Sequence, residues 1–364
     1  MTSTIEQSSR DDLAGESPEE TKPGPGRMRR GVRRVARWLR NLLLMIPPLL
    51  LVAVVAGQIQ QVRLARAHPA PGELLQIGDH RMHVMRAGEG PTVVFENGPG
   101  GVALDWSLVT PEVAEFATTI AYDRAGLGWS EPGPRPRDIE TLVSELKQTL
   151  EAIGAPTPYV LVGHSYGGLI VRAFAYTYPE DVTGLVLVDA AHEDQLDIYP
   201  AEYAAKAEGM GQMMGRLRGL YRVVNGSGIP ALFPASFAAP IVDKLPDDVA
   251  AARTAAALVD SSQAVATTDE MAALLDSFEH VRQIRRPLGD VPVRIIAHGV
   301  AAGKAAGVPA GLEADVEAAW QAMQRDLLEI SDDATLRIAE GSGHDIMVEM
   351  PSVVVEAIRE IAEG

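Results

Sequence analysis

The 364-residue chain contains no cysteine. Disulfide bonds, zinc sites with thiolate ligands, iron–sulfur clusters and cysteine nucleophiles are therefore excluded. The composition, 46% hydrophobic and 22% charged, is that of a folded globular protein with a sizeable core. The sequence also lacks internal repeats of the solenoid or propeller type, so one main domain is expected.

Acidic residues are absent from one N-terminal stretch, and all charge is absent from the next. Residues 21–40 hold eight bases and no acid, and the sixteen residues 42–57, LLLMIPPLLLVAVVAG, hold no charge. A helix of that length spans about 24 Å, which approaches the roughly 30 Å hydrocarbon core of a bilayer. Bases on the N-terminal side favour a cytoplasmic N-terminus and an extracytoplasmic domain. The alternative is a signal peptide cleaved near Ala56 or Ala67, which would make the domain secreted.

The N-terminal pattern predicts four segments. Residues 1–40 are predicted to be a disordered tail, acidic and then basic, and residues 41–60 a transmembrane anchor or signal segment. Residues 61–72 are predicted to be a linker to a domain at 73–364. The chain carries a net charge of -17 although its first forty residues are net basic, so nucleic acid is not an expected partner of the domain.

From Glu73 onward, short apolar runs alternate with segments of helical spacing. The predicted strands are ELLQI, HRMHVMRA, TVVFE, TTIAY, YVLVG, GLVLVD, VPVRIIAHG and TLRIAE. Helices are predicted at 139–153, 166–178, 312–328 and 352–361. This alternation predicts an α/β fold with a mostly parallel central sheet and helices on both faces.

The stretch VLVGHSYGG places Ser165 between Gly163 and Gly167, after a predicted strand and before a predicted helix. This arrangement is typical of a nucleophile elbow, in which a strained turn presents a serine hydroxyl. The alternative is a serine that only caps the helix. A serine nucleophile needs a base, and His344, in the GSGH loop after the last predicted strand, is the best placed of the eight histidines. His298 is a poorer candidate for the base, because it ends a strand that comes before the last predicted strand in the chain.

Together, ENGPGG, DRAGLGWS, GHSYGG, VLVDAAHED and the terminal GSGH make the chain resemble the alpha/beta-hydrolase fold superfamily from about Glu73 to Gly364. It is especially similar to exported, membrane-anchored bacterial members. The resemblance implies hydrolysis through an acyl-enzyme, with Ser165 as nucleophile and His344 as base. No cofactor is implied.

The acid that orients the histidine departs from the common pattern of the superfamily. Most members carry it after the seventh strand, but residues 299–310 contain no acid. A subset places it at the end of the sixth strand, where Asp189 stands, so Asp189 is the predicted third member of the triad. Its alternative is a purely structural aspartate. If Asp189 is not the acid, Glu313 is the next candidate, followed by Glu193 and Asp194.

An oxyanion hole needs two backbone N–H groups aimed at the forming negative oxygen. The fold takes one from the residue after the nucleophile, which is Tyr166. The second is predicted at Gly98 in ENGPGG, because Pro99 has no N–H to donate. Asn97 is expected to brace this turn.

Residues 191–289 interrupt the alternating pattern and are predicted to form a helical cap inserted after the sixth strand. The cap segment GMGQMMGRLRGLY is rich in methionine, which packs adaptably against apolar shapes. This favours a carboxylic ester with an apolar acyl or alkyl group as the small-molecule substrate. The alternative is that Met210, Met213 and Met214 only pack the cap onto the core.

Other activities stay open at this point. Serine members of the superfamily include thioesterases, peptidases, carbon–carbon hydrolases and perhydrolases, and a non-catalytic membrane-tethered binding module is a further alternative. Epoxide and haloalkane chemistry is disfavoured, because Ser165 stands where a nucleophilic aspartate would be required. No metal site is predicted, since the contiguous His192, Glu193 and Asp194 match no familiar ligand spacing.

Overall fold

The computed structural model describes residues 25–301 and 307–364, and within these ranges it describes side chains for Arg34 and from Ala36 onward. The helices are α1 (Pro25–Ala67), α2 (Thr110–Val113), α3 (Ile139–Ala152), α4 (Tyr166–Thr177), α5 (Gln195–Ile198), α6 (Ala201–Gly226), α7 (Asp247–Leu258), α8 (Ser262–Ala272), α9 (Leu274–Ile284), α10 (Glu313–Asp326), α11 (Ile346–Glu349) and α12 (Pro351–Ala362). The strands are β1 (Glu73–Ile77), β2 (His80–Ala87), β3 (Thr92–Glu96), β4 (Thr118–Tyr122), β5 (Tyr159–His164), β6 (Val182–Val188), β7 (Val293–His298) and β8 (Ala334–Ala339).

The eight strands form one sheet in the order β1-β2-β4-β3-β5-β6-β7-β8. Pairing is antiparallel between β1, β2 and β4 and parallel across the rest. In the parallel part His164 pairs with Val188, and Val188 pairs with Ile296. The residues that follow β5, β6 and β7 therefore meet at one edge of the sheet, where α/β proteins place their sites.

Alternate residues of the central strands face two separate hydrophobic layers. Leu161 and Leu187 pack with α3 and α4 on one face, whereas Val162 and Val186 pack with α12 on the other. Burial on both faces explains why these strands read as unbroken apolar runs. The predicted parallel sheet with helices on both faces is confirmed.

The chain between β6 and β7 forms the helical cap, which confirms the predicted insertion after the sixth strand. It contains α5 to α9 and short 3₁₀ helices at Ile229–Leu232, Pro234–Ser236 and Pro240–Lys244. The long helix α6 has no buried residue and packs mainly on α8. Met210 and Met213 are 43% and 45% exposed on α6, so neither fills the core between cap and sheet.

The N-terminal helix differs in extent from the sequence expectation. Of the tail predicted to be disordered, residues 1–24 lie outside the described residues and residues 25–40 belong to α1. The helix also continues through Pro47 and Pro48 and into the predicted linker as far as Ala67. Alanine, leucine, arginine and glutamine are all good helix formers, which favours both extensions but does not determine where the helix ends. The part from Ala36 to Ala67 is long and apolar enough to cross a membrane, a test that signal sequences also pass.

The last turns of α1 pack against the cap. A methyl group at Gly57 would lie 2.4 Å from the Gly228 carbonyl carbon, so the two backbones are in direct contact. The buried side-chain amide of Gln61 donates to the carbonyls of Asn225 and Leu258 at 3.2 and 3.0 Å. These contacts explain why the segment is ordered helix rather than linker.

Candidate active site

Ser165 occupies the turn between β5 and α4 in a strained backbone conformation. Its φ is 54° and its ψ is -123°, a combination that residues other than glycine rarely adopt. A methyl group at Gly163 would lie 2.5 Å from the Gly167 carbonyl oxygen, and one at Gly167 would lie 2.6 Å from the Glu96 carbonyl oxygen. Glycine is therefore required on both sides, and the tight turn holds Ser165 at the N-terminus of α4.

Asp189 follows β6 directly and is fully buried, with a φ of 44°. Its Oδ2 accepts a hydrogen bond from His344 Nδ1 at 2.6 Å, and its Oδ1 accepts one from Trp320 Nε1 at 2.8 Å. Burial by itself raises the pKa of Asp189, but hydrogen bonds from His298 and His344 outweigh it and hold the pKa well below its usual range. Asp189 is therefore a carboxylate at neutral pH.

His344 lies in the loop between β8 and α11, with its side chain 44% exposed. Its backbone carbonyl accepts a hydrogen bond from His164 Nε2 at 3.0 Å, and the two rings are 4.6 Å apart. Burial and then the neighbouring His344 lower the pKa of His164 to about 4, so His164 is a neutral donor that braces the loop. Ser165 and His344 line the same two cavities.

A second histidine binds the same carboxylate. His298 Nδ1 donates to Asp189 Oδ2 at 2.7 Å, and His298 Nε2 donates to Glu317 Oε2 at 3.0 Å. Burial lowers the pKa of His298, but its hydrogen bonds to the two acids prevail and raise the pKa to about 9, so it is cationic at neutral pH. Nothing in the local sequence predicts this contact; the signal is its place at the carboxyl end of the strand beside β6.

The residues of the two expected oxyanion donors both lie close to Ser165. Tyr166 is the first residue of α4, where N–H groups have no intrahelical acceptor. A methyl group at Gly98 would lie 3.4 Å from Ser165 Oγ, so the backbone of the loop after β3 approaches the hydroxyl closely. Asn97 braces that loop through a 3.0 Å hydrogen bond from its side-chain amide to the Val102 carbonyl.

Comparison with known proteins identifies the fold family. A family model described as the alpha/beta hydrolase family matches residues 93–357. The chain belongs to this family. Among curated relatives, the uncharacterized protein YqjL of Bacillus subtilis is 34% identical over 115 residues, which cover 32% of this chain and 45% of YqjL. The mouse (lyso)-N-acylphosphatidylethanolamine lipase is 29% identical over 227 residues, 57% of this chain and 64% of the lipase.

Solved structures of other alpha/beta hydrolases show the same fold. An epoxide hydrolase from Bacillus megaterium superposes with a TM-score of 0.59 at 18% identity, covering 80% of this chain and 100% of that one. A thermophilic esterase from Thermogutta terrifontis gives a TM-score of 0.55 at 19% identity, covering 79% and 96%. Identities this low speak to the fold alone, and the chain spans less than half the length of several curated relatives, such as YqjL at 45%.

In this alpha/beta hydrolase, the two cavities that Ser165 and His344 line differ in character. The larger, of about 330 Å³, has mainly apolar and aromatic walls, including Tyr199, Tyr203, Met271, Leu274, Phe278 and Trp320. The second, of about 280 Å³, has mixed walls, in which the polar and charged Asn97, Asp105, Arg253 and Asp345 lie beside the apolar Ala239, Ile241 and Met347. In the described walls the apolar lining comes from α8, α9 and α10 together with Tyr199 and Tyr203, and it does not include Met210 or Met213 of α6. The methionine-rich segment is therefore not what makes the larger cavity apolar.

The other acids considered for the hydrolase triad bind elsewhere. Glu313 accepts a hydrogen bond from the Gly311 N–H at 2.7 Å, at the start of α10. Glu193 forms a buried ion pair with Arg172 at 2.7 Å. Asp194 pairs at the surface with Arg282. Among the described residues, Asp189 is the acid hydrogen-bonded to the His344 ring.

One cluster of the described residues has the composition of a metal site. Asp189, His298 and His344 offer ligand atoms that lie within 4.8 Å of one another. Both Nδ1 atoms donate hydrogen bonds to the carboxylate. Hydrogen bonds at these two distances are enough to hold the three side chains together.

Proposed function

We propose that the protein is a serine hydrolase that cleaves carboxylic esters through an acyl-enzyme, with Ser165 as nucleophile, His344 as general base and Asp189 as the orienting acid. The observation that carries the proposal is the 2.6 Å hydrogen bond between Asp189 Oδ2 and His344 Nδ1. It leaves Nε2 as the ring nitrogen able to accept a proton, on a histidine that shares its cavities with the strained Ser165.

The proposed reaction has two steps. Ser165 Oγ attacks the ester carbonyl while its proton passes to His344 Nε2, and the backbone N–H groups of Tyr166 and Gly98 stabilise the negative oxygen. Collapse breaks the carbon–oxygen bond, and His344 returns the proton to the departing alcohol. Water then attacks the acyl-enzyme by the same route, which releases the acid and frees Ser165.

The two cavities support a substrate class. A cavity with walls of tyrosine, phenylalanine, leucine and tryptophan stabilises an apolar group by removing its surface from water. We propose that the apolar acyl or alkyl part of the ester occupies this cavity and that the smaller, more polar part occupies the second one, with the ester carbon above Ser165.

Labelling with a fluorophosphonate tests the proposal directly. The probe should modify Ser165 in the full-length protein, and neither Ser165→Ala nor His344→Ala should label at a comparable rate. Folded wild-type protein that never labels would instead favour the non-catalytic binding module. A chain-length series of nitrophenyl esters, compared with matched thioesters, amides and a carbon–carbon hydrolase substrate, then separates the remaining serine chemistries.

We further propose that α1 anchors the protein in a membrane with a cytoplasmic N-terminus and an extracytoplasmic hydrolase domain. The eight bases at 21–40 and the uncharged residues 42–57 support this orientation. Because the chain has no cysteine, one cysteine introduced before residue 20 and one introduced near the C-terminus would report the side of each. Labelling of only the C-terminal position by an impermeant thiol reagent on intact cells is expected. A mature chain that starts near residue 57 or 68 would indicate a cleaved signal instead.

A further inference from the structure

A buried arginine binds two backbone carbonyls of the loop at residues 97–101, which carries Gly98. Arg124 Nη1 donates to the Asn97 carbonyl at 2.7 Å, and Nη2 donates to the Gly98 carbonyl at 2.8 Å. The Asn97 carbonyl and the Gly98 N–H belong to one planar, trans peptide group, so fixing the carbonyl also fixes the direction of the N–H. Arg124 therefore sets where the Gly98 N–H points.

The same guanidinium also binds two buried carboxylates. Its Nε and Nη2 donate to the two oxygens of Glu270 at 2.8 and 2.9 Å, and its Nη1 also donates to Glu96. All five N–H groups of Arg124 thus have acceptors. Glu96 ends β3, but Glu270 is fully buried on α8 of the cap. A bidentate pair defines the plane of the guanidinium, so the cap orients Arg124.

Helix α8 contacts the loop at two further points. The side-chain amide of Gln263 donates to the Gly100 carbonyl at 2.8 Å, and its oxygen accepts from the Gly128 N–H at 2.7 Å. Gly100 has a φ of +68°, and a methyl group there would lie 2.8 Å from Thr267 Oγ1. Residues 263, 267 and 270 are spaced along one face of the helix. The cap therefore contacts the loop through one continuous helical face.

We propose that Arg124 and Glu270 are positioning residues that couple the cap to the oxyanion hole. The Gly98 N–H is aimed at the reacting oxygen only while α8 is seated on the loop. This inference rests on the proposed function, because it assigns Gly98 the role of an oxyanion donor. It predicts that weakening the contact of α8 with the loop impairs transition-state stabilisation more than substrate binding.

The variant Glu270→Gln tests the coupling with little change of shape. The substitution removes the negative charge of Glu270. It also places an NH₂ donor against the Arg124 guanidinium, which has no acceptor atoms. We expect kcat for a nitrophenyl ester to fall about 10- to 100-fold with KM within about threefold, less than the loss of an entire oxyanion donor. A trifluoromethyl ketone that forms a tetrahedral oxyanion on Ser165 should bind more weakly by a similar factor. The unreactive methyl ketone of the same length should bind as it does to the wild type.

Asp269→Asn is the matched control. Asp269 is the neighbouring acid on α8, and it pairs with Arg135 and Arg218 rather than with the oxyanion loop. The Asp269→Asn variant should retain wild-type kcat and should bind both inhibitors as the wild type does. Equal losses in both variants would mean that any damage to the cap lowers activity, and wild-type kcat in Glu270→Gln would mean that no coupling exists; either result overturns the proposal.

If Glu270→Gln does not fold, Gln263→Ala is the second test, because it removes the hydrogen bonds of that side chain to Gly100 and Gly128 and leaves the buried ion pairs intact. A severalfold lower kcat at unchanged KM is expected, and unchanged kcat overturns the coupling. Fluorophosphonate labelling of the wild type distinguishes failure of the proposed function from failure of the coupling. If the wild type neither labels nor hydrolyses esters, both the proposed function and the coupling are refuted. If the wild type labels but the Glu270→Gln and Gln263→Ala variants keep wild-type kcat, only the coupling is refuted.

Discussion

Replacing Asp189 with asparagine removes the group that sets the tautomer of His344. The carboxylate accepts four hydrogen bonds, from the rings of His344, His298 and Trp320 and from the His298 backbone, at 2.6, 2.7, 2.8 and 3.1 Å. An amide cannot accept on both sides. If its NH₂ faces the two rings, His344 must carry its proton on Nε2, where it can no longer take one from Ser165.

A wrong tautomer in a serine triad lowers kcat on the order of 10⁴-fold, which corresponds to roughly 5 kcal/mol of transition-state stabilisation. We expect that loss for Asp189→Asn, with KM changed only a fewfold. The variant also loses charge-assisted hydrogen bonds worth about 1.5 to 3 kcal/mol each, so its folding must be verified by circular dichroism at the assay temperature. The assay is steady-state hydrolysis of a nitrophenyl butyrate ester by full-length protein in detergent.

Glu313→Gln is the control, because Glu313 accepts only a local bond from Gly311 and should not affect turnover. Folded Asp189→Asn protein with kcat within tenfold of the wild type would refute the assignment. A large loss in Glu313→Gln alone would move the acid role to that residue.

Three further predictions follow from the contacts described above. Ser165→Ala and His344→Ala should each abolish most turnover of the same ester, and the double variant should lose little more, because the two residues act as one unit; additive losses would contradict a shared step. The pKa of His298 is raised to about 9 in the folded protein from an ordinary value of 6.5, so its contribution to stability is fully present below pH 6.5 and is lost as pH rises through about 9. The difference in Tm between wild type and His298→Gln should therefore shrink between pH 6.5 and 10, and a constant difference would contradict a charged His298. Gln61→Ala should lower the free energy of unfolding by about 1 to 3 kcal/mol in urea melts, whereas Gln58→Ala, which removes an exposed bond to Gly226, should lower it by less than about 1 kcal/mol.

The parallel strands were predictable because each is a short apolar run bounded by turn residues. The same runs, ordered along the chain, predict that residues following β5, β6 and β8 meet at one sheet edge, and the 2.6 Å contact between Asp189 and His344 agrees with that placement. The assignment of catalytic roles to these residues remains a prediction.

What the sequence could not show depends on packing between distant elements. At the end of β7, α10 adds Glu317 on the second ring nitrogen of His298 and Trp320 on Asp189, and no local pattern encodes that approach. The exposure of Met210 and Met213 has the same origin, since residue composition does not determine which side of α6 packs on α8. Helix α1 extends to Ala67 because contacts with the cap, 164 residues or more away in sequence, satisfy its side chains.

The attachment of α1 to the cap has a mechanical consequence. Gly57 and Gln61 contact the segment from Asn225 to Gly228 and the end of α7. The last turns of α1 are therefore packed directly on the cap. A displacement of the last turns of α1 would therefore act directly on the cap.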